Sequence, residues 1–113
     1  MFHRAGVDIS SIRQAIVPTA RVPAAARPSG VKIVYLKTEY RPDLSDLGAV
    51  DSKIWINLTR VGVGGRVTTP DGTEGQIMIR DTWNTQMVCE LVPEPGDIVV
   101  SKHRFSGFYG TDL

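Results

Sequence analysis

The chain has 113 residues, of which 42% are hydrophobic and 22% charged, and its formal net charge is +1. This length allows one domain at most, and the balance of apolar and charged residues is typical of a globular protein, not of a disordered one. A net charge so close to zero gives no sign of the basic surface that binds nucleic acid. No apolar run approaches the ~18 residues of a membrane span. The single cysteine excludes an internal disulfide framework and suits a reducing compartment, so we expect a cytoplasmic protein.

The first third of the chain predicts a helix followed by a strand. Apolar residues recur at helical spacing between positions 9 and 24, and Pro18 is acceptable in a first helical turn. Pro23 is expected to kink this helix, because an internal proline removes a hydrogen bond and costs about 3 kcal/mol. The Pro-Ser-Gly sequence at 28–30 ends the helix, and residues 31–36 then form the clearest strand of the chain.

The middle of the chain, residues 41–80, is much less informative. The turn signal Asp71-Gly72 separates two extended pieces and, taken alone, indicates a β-hairpin. The glycine-rich stretch at 61–66 lacks the spacing of a dinucleotide-binding fingerprint. The middle therefore predicts a hairpin and no nucleotide site.

Cys89 is the only cysteine and hence the only candidate thiol nucleophile. Its neighbours Met87, Val88 and Leu91 are apolar, and no histidine lies near it in the sequence. An apolar setting raises the pKa of a thiol and keeps it in the unreactive protonated form. We therefore expect Cys89 to be a buried or partly buried structural residue in a short helix at 86–91, away from Lys102.

The most informative segment is 90–113. Its prolines and glycine at 93–96 predict a turn, and Ile98-Val99-Val100 predicts a strand buried on both faces. Lys102 follows at the carboxyl end of that strand, which is where open α/β sheets bind ligands, although a lysine there is more often a solvated surface charge. Beyond it, aromatic and small residues alternate in a way that can wall a small apolar pocket. The aromatic residues are Phe105, Phe108 and Tyr109.

This segment resembles the signature of the isochorismatase-like cysteine hydrolases, PGD-(I/V)-V-x-x-K-x-R-(Y/F)-S-(A/G)-F-x-x-T-x-L, whose lysine belongs to an Asp-Lys-Cys triad. Residues 90–93 and the preceding Trp83 are similar to the ureidoacrylate amidohydrolase branch in particular. The residues that match the signature are Pro95, Gly96, Asp97, Ile98, Val99, Lys102, Arg104, Phe105, Ser106, Gly107, Phe108, Thr111 and Leu113.

The resemblance implies an α/β fold, namely a three-layer α/β/α sandwich with a mostly parallel, Rossmann-like sheet. Residues 31–36 and 97–101 are expected to be neighbouring parallel strands joined by a right-handed crossover. In the family, the strand that carries the triad Asp would precede Met1, and the nucleophilic Cys would follow Leu113. Residues 1–113 would then be a partial hydrolase domain, an internal fragment in which 57–80 belong to a variable loop over the active site.

The implied activity is hydrolysis of C–N bonds in small amide or ureido substrates. The Cys thiolate would attack the carbonyl group, while Lys102 would keep the thiolate and the Asp ionised. The 113 residues alone would be inactive, because they hold a cation without a nucleophile to activate. The intact protein is expected to be a homo-oligomer with no nucleic-acid or membrane partner.

The resemblance also implies a substrate pocket and a mechanism that requires no cofactor. Thr38, Tyr40, Trp83 and Phe105 would surround the substrate. Related nicotinamidases bind zinc through an Asp-x-His sequence, but no histidine lies between residues 4 and 102 here, so we expect neither metal nor cofactor.

Two alternatives stay open. The first is another hydrolase of the same superfamily, acting on biuret, a carbamoyl amine or isochorismate, which the polarity of the pocket would decide. The second is a small non-catalytic binding module whose hairpin around Asp71-Gly72 presents a binding surface.

Overall fold

The computed structural model describes residues 8–113, which form short helices, short strands and single turns of 3-10 helix. None of the helices in this part of the chain has the length and apolar character needed to cross a bilayer. The helices are α1 (Ser10–Gln14), α2 (Ile16–Ala26) and α3 (Lys53–Arg60). The strands are β1 (Val34–Thr38), β2 (Arg66–Thr68), β3 (Glu74–Gln76) and β4 (Ile98–Lys102).

The predicted pair of parallel strands is confirmed. β1 and β4 are hydrogen-bonded neighbours that run in the same direction, with Val34 opposite Ile98 and Thr38 opposite Lys102. β1 begins three residues later than the apolar run that predicted it, because Ile98 is the first residue of β4 and its N–H bonds to the carbonyl of Ile33. Residues 31 and 32 therefore have no partner on β4.

Burial of these strands on both faces, which their composition predicted, is wrong for the described residues. Val34, Leu36, Ile98 and Val99 are between 39% and 46% exposed. In this part of the chain the parallel sheet has two strands only, so each strand has a neighbour along one edge and none along the other. Val100 is the residue of the pair that is well buried.

Helix α2 continues through Pro23. The proline ring removes the N–H that would bond to the carbonyl of Thr19. The helix ends only three residues later, and the N–H of Arg27 still bonds to the carbonyl of Pro23. Pro18 lies in the first turn, as predicted, where a missing N–H costs nothing. The chain then reverses at Gly30, whose φ of 73° is a left-handed conformation that favours glycine.

Arg27 ties the end of α2 to the turn before β4. Its guanidinium contacts the Asp97 carboxylate twice (Nη2–Oδ2 2.5 Å, Nε–Oδ1 3.2 Å) and Glu94 once (Nη1–Oε1 2.5 Å). Asp97 also accepts the backbone N–H of Glu94 at 2.8 Å. Hydrogen bonding to Arg27 holds the pKa of Asp97 below its usual range. This contact joins the end of α2 to the residue immediately before β4.

The middle of the chain contains the best-buried cluster of the described residues. Tyr40, Leu47, Val63 and Ile79 pack together, and Leu47 and Ile79 are at most 1% exposed. The predicted hairpin is confirmed, since β2 and β3 pair antiparallel with Val67 opposite Gly75. The part of the chain for which the sequence was least informative therefore contains its best-buried residues.

Candidate active site

A cavity of about 350 Å³ opens where β1 and β4 end. Its walls come from the carboxyl ends of the two strands, from α3, from the Met78 segment and from the residues that follow β4. Such a volume is in the range of small-molecule sites. The lining residues are Thr38, Tyr40, Ile54, Asn57, Leu58, Val61, Met78, Lys102, Arg104 and Phe105.

Lys102 is the last residue of β4 and brings a positive charge to this cavity. Its ammonium donates hydrogen bonds to the backbone carbonyls of Arg104 (2.9 Å) and Phe105 (3.3 Å). A lysine ammonium has three N–H donors, so one is left for a ligand. The lining residues include no carboxylate, and no three potential metal ligands lie together anywhere in residues 8–113.

Three of the four residues predicted for the pocket line the same cavity as Lys102. Thr38 and Tyr40 lie on one face because side chains alternate along an extended chain, and Thr38 is directly opposite Lys102. Tyr40 is buried, and that burial raises the pKa of its phenol. Phe105 is 90% exposed and stands at the rim. Trp83 does not line the cavity, because its indole lies against Gly75 of the hairpin, where no side chain would fit.

Helix α3 forms a wall that sequence reasoning missed. Ile54, Asn57, Leu58 and Val61 occur at spacings of three and four, which places them on one helical face toward the cavity. This periodicity was available in the sequence. The hydroxyl of Ser52 caps the helix by accepting the N–H of Trp55 at 3.3 Å.

Arg104 also lines the cavity and had no predicted role beyond its match to the signature. Its Nη1 donates to the carbonyls of Asp46 (2.7 Å) and His103 (2.8 Å). The centre of its guanidinium lies 5.8 Å from the centroid of the Tyr109 ring, within the range of a cation–π contact. Arg104 therefore joins the loop after β1 to the segment after β4.

A buried carboxylate lies beside the cavity residues but on the opposite face of the sheet. Glu39 is 7% exposed, accepts a hydrogen bond from Ser101 at 2.6 Å and pairs with Lys37 at 2.7 Å. Burial opposes its ionisation, but the contacts with Lys37 and Ser101 outweigh that effect and hold the pKa of Glu39 below its ordinary value. Its position between two cavity residues, Thr38 and Tyr40, directs it away from the cavity.

The prediction that Cys89 is buried is wrong. Its side chain is exposed, in a single 3-10 turn at Cys89–Leu91 in place of the predicted helix at 86–91. Its pKa is raised, as expected, but the main cause is the hydrogen bond to the neighbouring Glu90 (Sγ–Oε2 3.1 Å), since a thiolate beside a carboxylate is disfavoured. Apolar neighbours in the sequence failed as a guide because burial depends on what packs over a side chain, and Leu91 of the same turn is half-buried while Cys89 is exposed. Cys89 does not line the cavity.

Comparison with known proteins identifies relatives along the whole chain. The sequence profile of the isochorismatase domain matches residues 1–113. The ureidoacrylate amidohydrolase RutB of Methylorubrum extorquens (strain DM4) is 36% identical over 109 residues, or 96% of this chain and 43% of that protein. RutB of Agrobacterium fabrum is 33% identical over 109 residues, or 96% of this chain and 46% of that protein. The chain thus spans less than half the length of these relatives.

Solved structures give the same result for the fold. A cysteine hydrolase from Pseudomonas syringae pv. phaseolicola superposes with a TM-score of 0.63 and 26% identity, over 87% of this chain and 38% of that chain. A second protein, from Desulfovibrio vulgaris, has a TM-score of 0.59 and 30% identity, over 86% of this chain and 43% of that chain. The α/β arrangement of the parallel pair and its helices is shared with these proteins.

Proposed function

Since the chain belongs to the isochorismatase family of hydrolases, we propose that it is part of a cysteine hydrolase that cleaves a C–N bond in a small ureido or amide substrate. The observation that carries the proposal is Lys102, which stands at the carboxyl end of β4, inside the family signature, and faces a cavity of suitable size. Relatives named ureidoacrylate amidohydrolases support a ureido substrate.

In the proposed mechanism Lys102 is the cation of an Asp-Lys-Cys triad whose other two members lie outside residues 1–113. The Asp takes the proton of the Cys thiol, the thiolate attacks the substrate carbonyl, the amine leaves with that proton, and water then releases the acyl group from sulfur. Lys102 favours the ionised forms of both the Asp and the Cys, because a nearby positive charge lowers the pKa of an acid. Backbone N–H groups beside the Cys stabilise the tetrahedral anion.

The proposed substrate contacts come from the walls of the cavity. Thr38 supplies a hydroxyl beside Lys102, Tyr40 a rigid aromatic wall, and Phe105 an aromatic rim. Trp83 is left out of this proposal because it packs against the hairpin. No cofactor is invoked, since thiolate chemistry on an acyl group needs none.

The test is turnover of a ureido substrate by a longer protein that contains these residues together with the triad Asp and Cys. We expect Lys102→Met to keep the fold and to lower turnover by several orders of magnitude, as removal of a member of a catalytic unit does. Lys102→Arg should be as inactive as Lys102→Met although it keeps the positive charge, because the planar guanidinium is larger than an ammonium and differs from it in geometry.

The matched control is Lys53→Met, which removes an exposed lysine that does not line the cavity. It should leave turnover unchanged, and the 113-residue chain alone should have none. Normal turnover by Lys102→Met would contradict the proposed role. Hydrolysis of biuret or a carbamoyl amine in preference to ureidoacrylate would assign the protein to another branch of the superfamily. No hydrolysis of any of these substrates by the longer protein would instead favour a binding module.

A further inference from the structure

The ammonium of Lys102 is held by a segment that has no regular structure of its own. Its two protein partners are the carbonyls of Arg104 and Phe105, and the chain there consists of bends. The Phe105 side chain is 90% exposed and provides no packing that would fix these carbonyls. Some other contact must keep this segment in place if Lys102 is to keep its position.

Arg104 provides that contact. Its Nη1 group bonds both to the carbonyl of His103 within the segment and to the carbonyl of Asp46, which is 58 residues away in the sequence. The planar guanidinium fork suits this task, because it presents several N–H donors in a rigid arrangement. One side chain thus joins the support of Lys102 to a distant loop.

The loop that receives Arg104 is itself anchored. Leu47, next to Asp46, is fully buried in the core. The Asp46 carboxylate accepts the backbone N–H of Arg41 at 3.0 Å and forms an ion pair with Arg80 at 3.6 Å. The Asp46 carbonyl is therefore a fixed acceptor, held by packing on one side and by charge on the other.

We propose that Arg104 is a positioning residue for Lys102. Its bond to the carbonyl of Asp46 fixes the segment whose backbone carbonyls, those of Arg104 and Phe105, hold the Lys102 ammonium. The contacts run without a gap from the buried Leu47 through Asp46 and Arg104 to the Nζ of Lys102. A side chain held in one geometry before the substrate arrives loses less entropy during reaction. The catalytic importance of this orientation rests on the proposed function of Lys102. The contact between Arg104 and Asp46 is independent of that function.

The experiment observes Lys102 directly, by ¹⁵N NMR of lysine ammonium groups in the 113-residue chain at neutral pH and low temperature. An ammonium held in hydrogen bonds exchanges its protons with water more slowly than a free one, so at neutral pH it keeps a signal that free ammonium groups lose. The signal that disappears in Lys102→Met belongs to Lys102. We expect Arg104→Met to abolish this signal while the backbone amide spectrum stays dispersed. Arg66→Met, which removes an exposed arginine of the hairpin, should preserve it.

Arg104→Gln serves as the second variant, since its shorter neutral amide keeps N–H donors but cannot span the same two carbonyls. It should also lose the Lys102 signal. A persistent signal in either folded variant overturns the proposal, as does the absence of a signal in the unaltered chain. If both variants unfold, Arg104 is a folding residue and the proposal is overturned. Because the measurement needs no hydrolysis, an inactive protein in the turnover assay does not affect its result.

Discussion

The parallel strands β1 and β4 and the middle segment between Tyr40 and Ile79 differ in an instructive way. The strands are the most apolar and most easily predicted pieces of the chain, yet most of their β-branched and leucine side chains are 39–46% exposed. The middle segment is polar and rich in glycine, and only its hairpin was predicted, yet Leu47 and Ile79 within it are almost completely buried. Apolar composition therefore indicates which residues favour burial, but not how much cover they obtain.

The physical reason lies in the number of neighbours. The apolar side chains of a two-stranded sheet are buried only where other elements pack on the faces of the sheet. Here the faces of β1 and β4 are only partly covered. The middle segment instead encloses its own apolar residues, because Trp55 and Leu58 of α3 pack against the buried cluster and a backbone bridge joins Tyr40 to Ile79. Three substitutions, in order of expected effect, test this contrast between the two regions.

The largest effect is expected for Leu47→Ala in the middle segment. Removing a fully buried leucine loses both its transfer free energy and its packing, which costs about 2–5 kcal/mol of unfolding free energy. Leu36→Ala on β1 is the matched control, because it makes the same chemical change at a side chain that is 46% exposed, and it should cost about 1 kcal/mol. Urea unfolding of both variants measures the difference. Equal losses would remove the contrast between the two regions.

The next effect concerns Lys37→Met, at the place where β1 passes into the middle segment. The substitution leaves the buried carboxylate of Glu39 with Ser101 as its hydrogen-bond donor and should cost about 1–3 kcal/mol at neutral pH. In the unaltered chain the pKa of Glu39 is lowered, so its contribution is present above the unfolded value of about 4.3 and is lost as the pH falls.

Without Lys37, one of the contacts that lower the pKa of Glu39 is lost while the burial that raises it remains, so the pKa should be higher than in the unaltered chain and protonation should relieve part of the penalty. The difference in unfolding free energy between the variant and the unaltered chain should therefore shrink when the pH is lowered toward 4.3. Urea unfolding at neutral and mildly acidic pH checks this, with Lys32→Met as the exposed control. A difference that is constant with pH would mean that Glu39 is not the group concerned.

The smallest effect is expected for Asp97→Asn, on the sheet side of the comparison. Because Arg27 lowers the pKa of Asp97, this carboxylate stabilises the fold above its unfolded pKa of about 3.9, and the contribution is lost as the pH falls further. The variant should be less stable at neutral pH and should lose less stability than the unaltered chain on acidification. Asp112→Asn, at an exposed position, should follow the unaltered chain, and urea midpoints at both pH values decide between these outcomes.

Sequence reasoning succeeded where the determining interactions are local. The β-branched runs predicted both strands of the parallel pair, and the Asp71-Gly72 turn predicted the hairpin. It failed for Cys89, because burial depends on what packs over a residue and not on its apolar neighbours in the chain. The spacing of Ile54, Leu58 and Val61 held a signal for α3 that could have been used.

By itself the sequence determined the family, through the dense signature at 95–113, and the position of Lys102 at the end of a strand, through the turn and the β-branched run before it. Only the tertiary structure decided that α3 lines the cavity, that Trp83 belongs to the hairpin, and that Arg104 reaches the carbonyl of Asp46. The reason is that strand and turn preferences act over a few residues of the backbone. A hydrogen bond across 58 residues exists only after the intervening chain has folded around its own core.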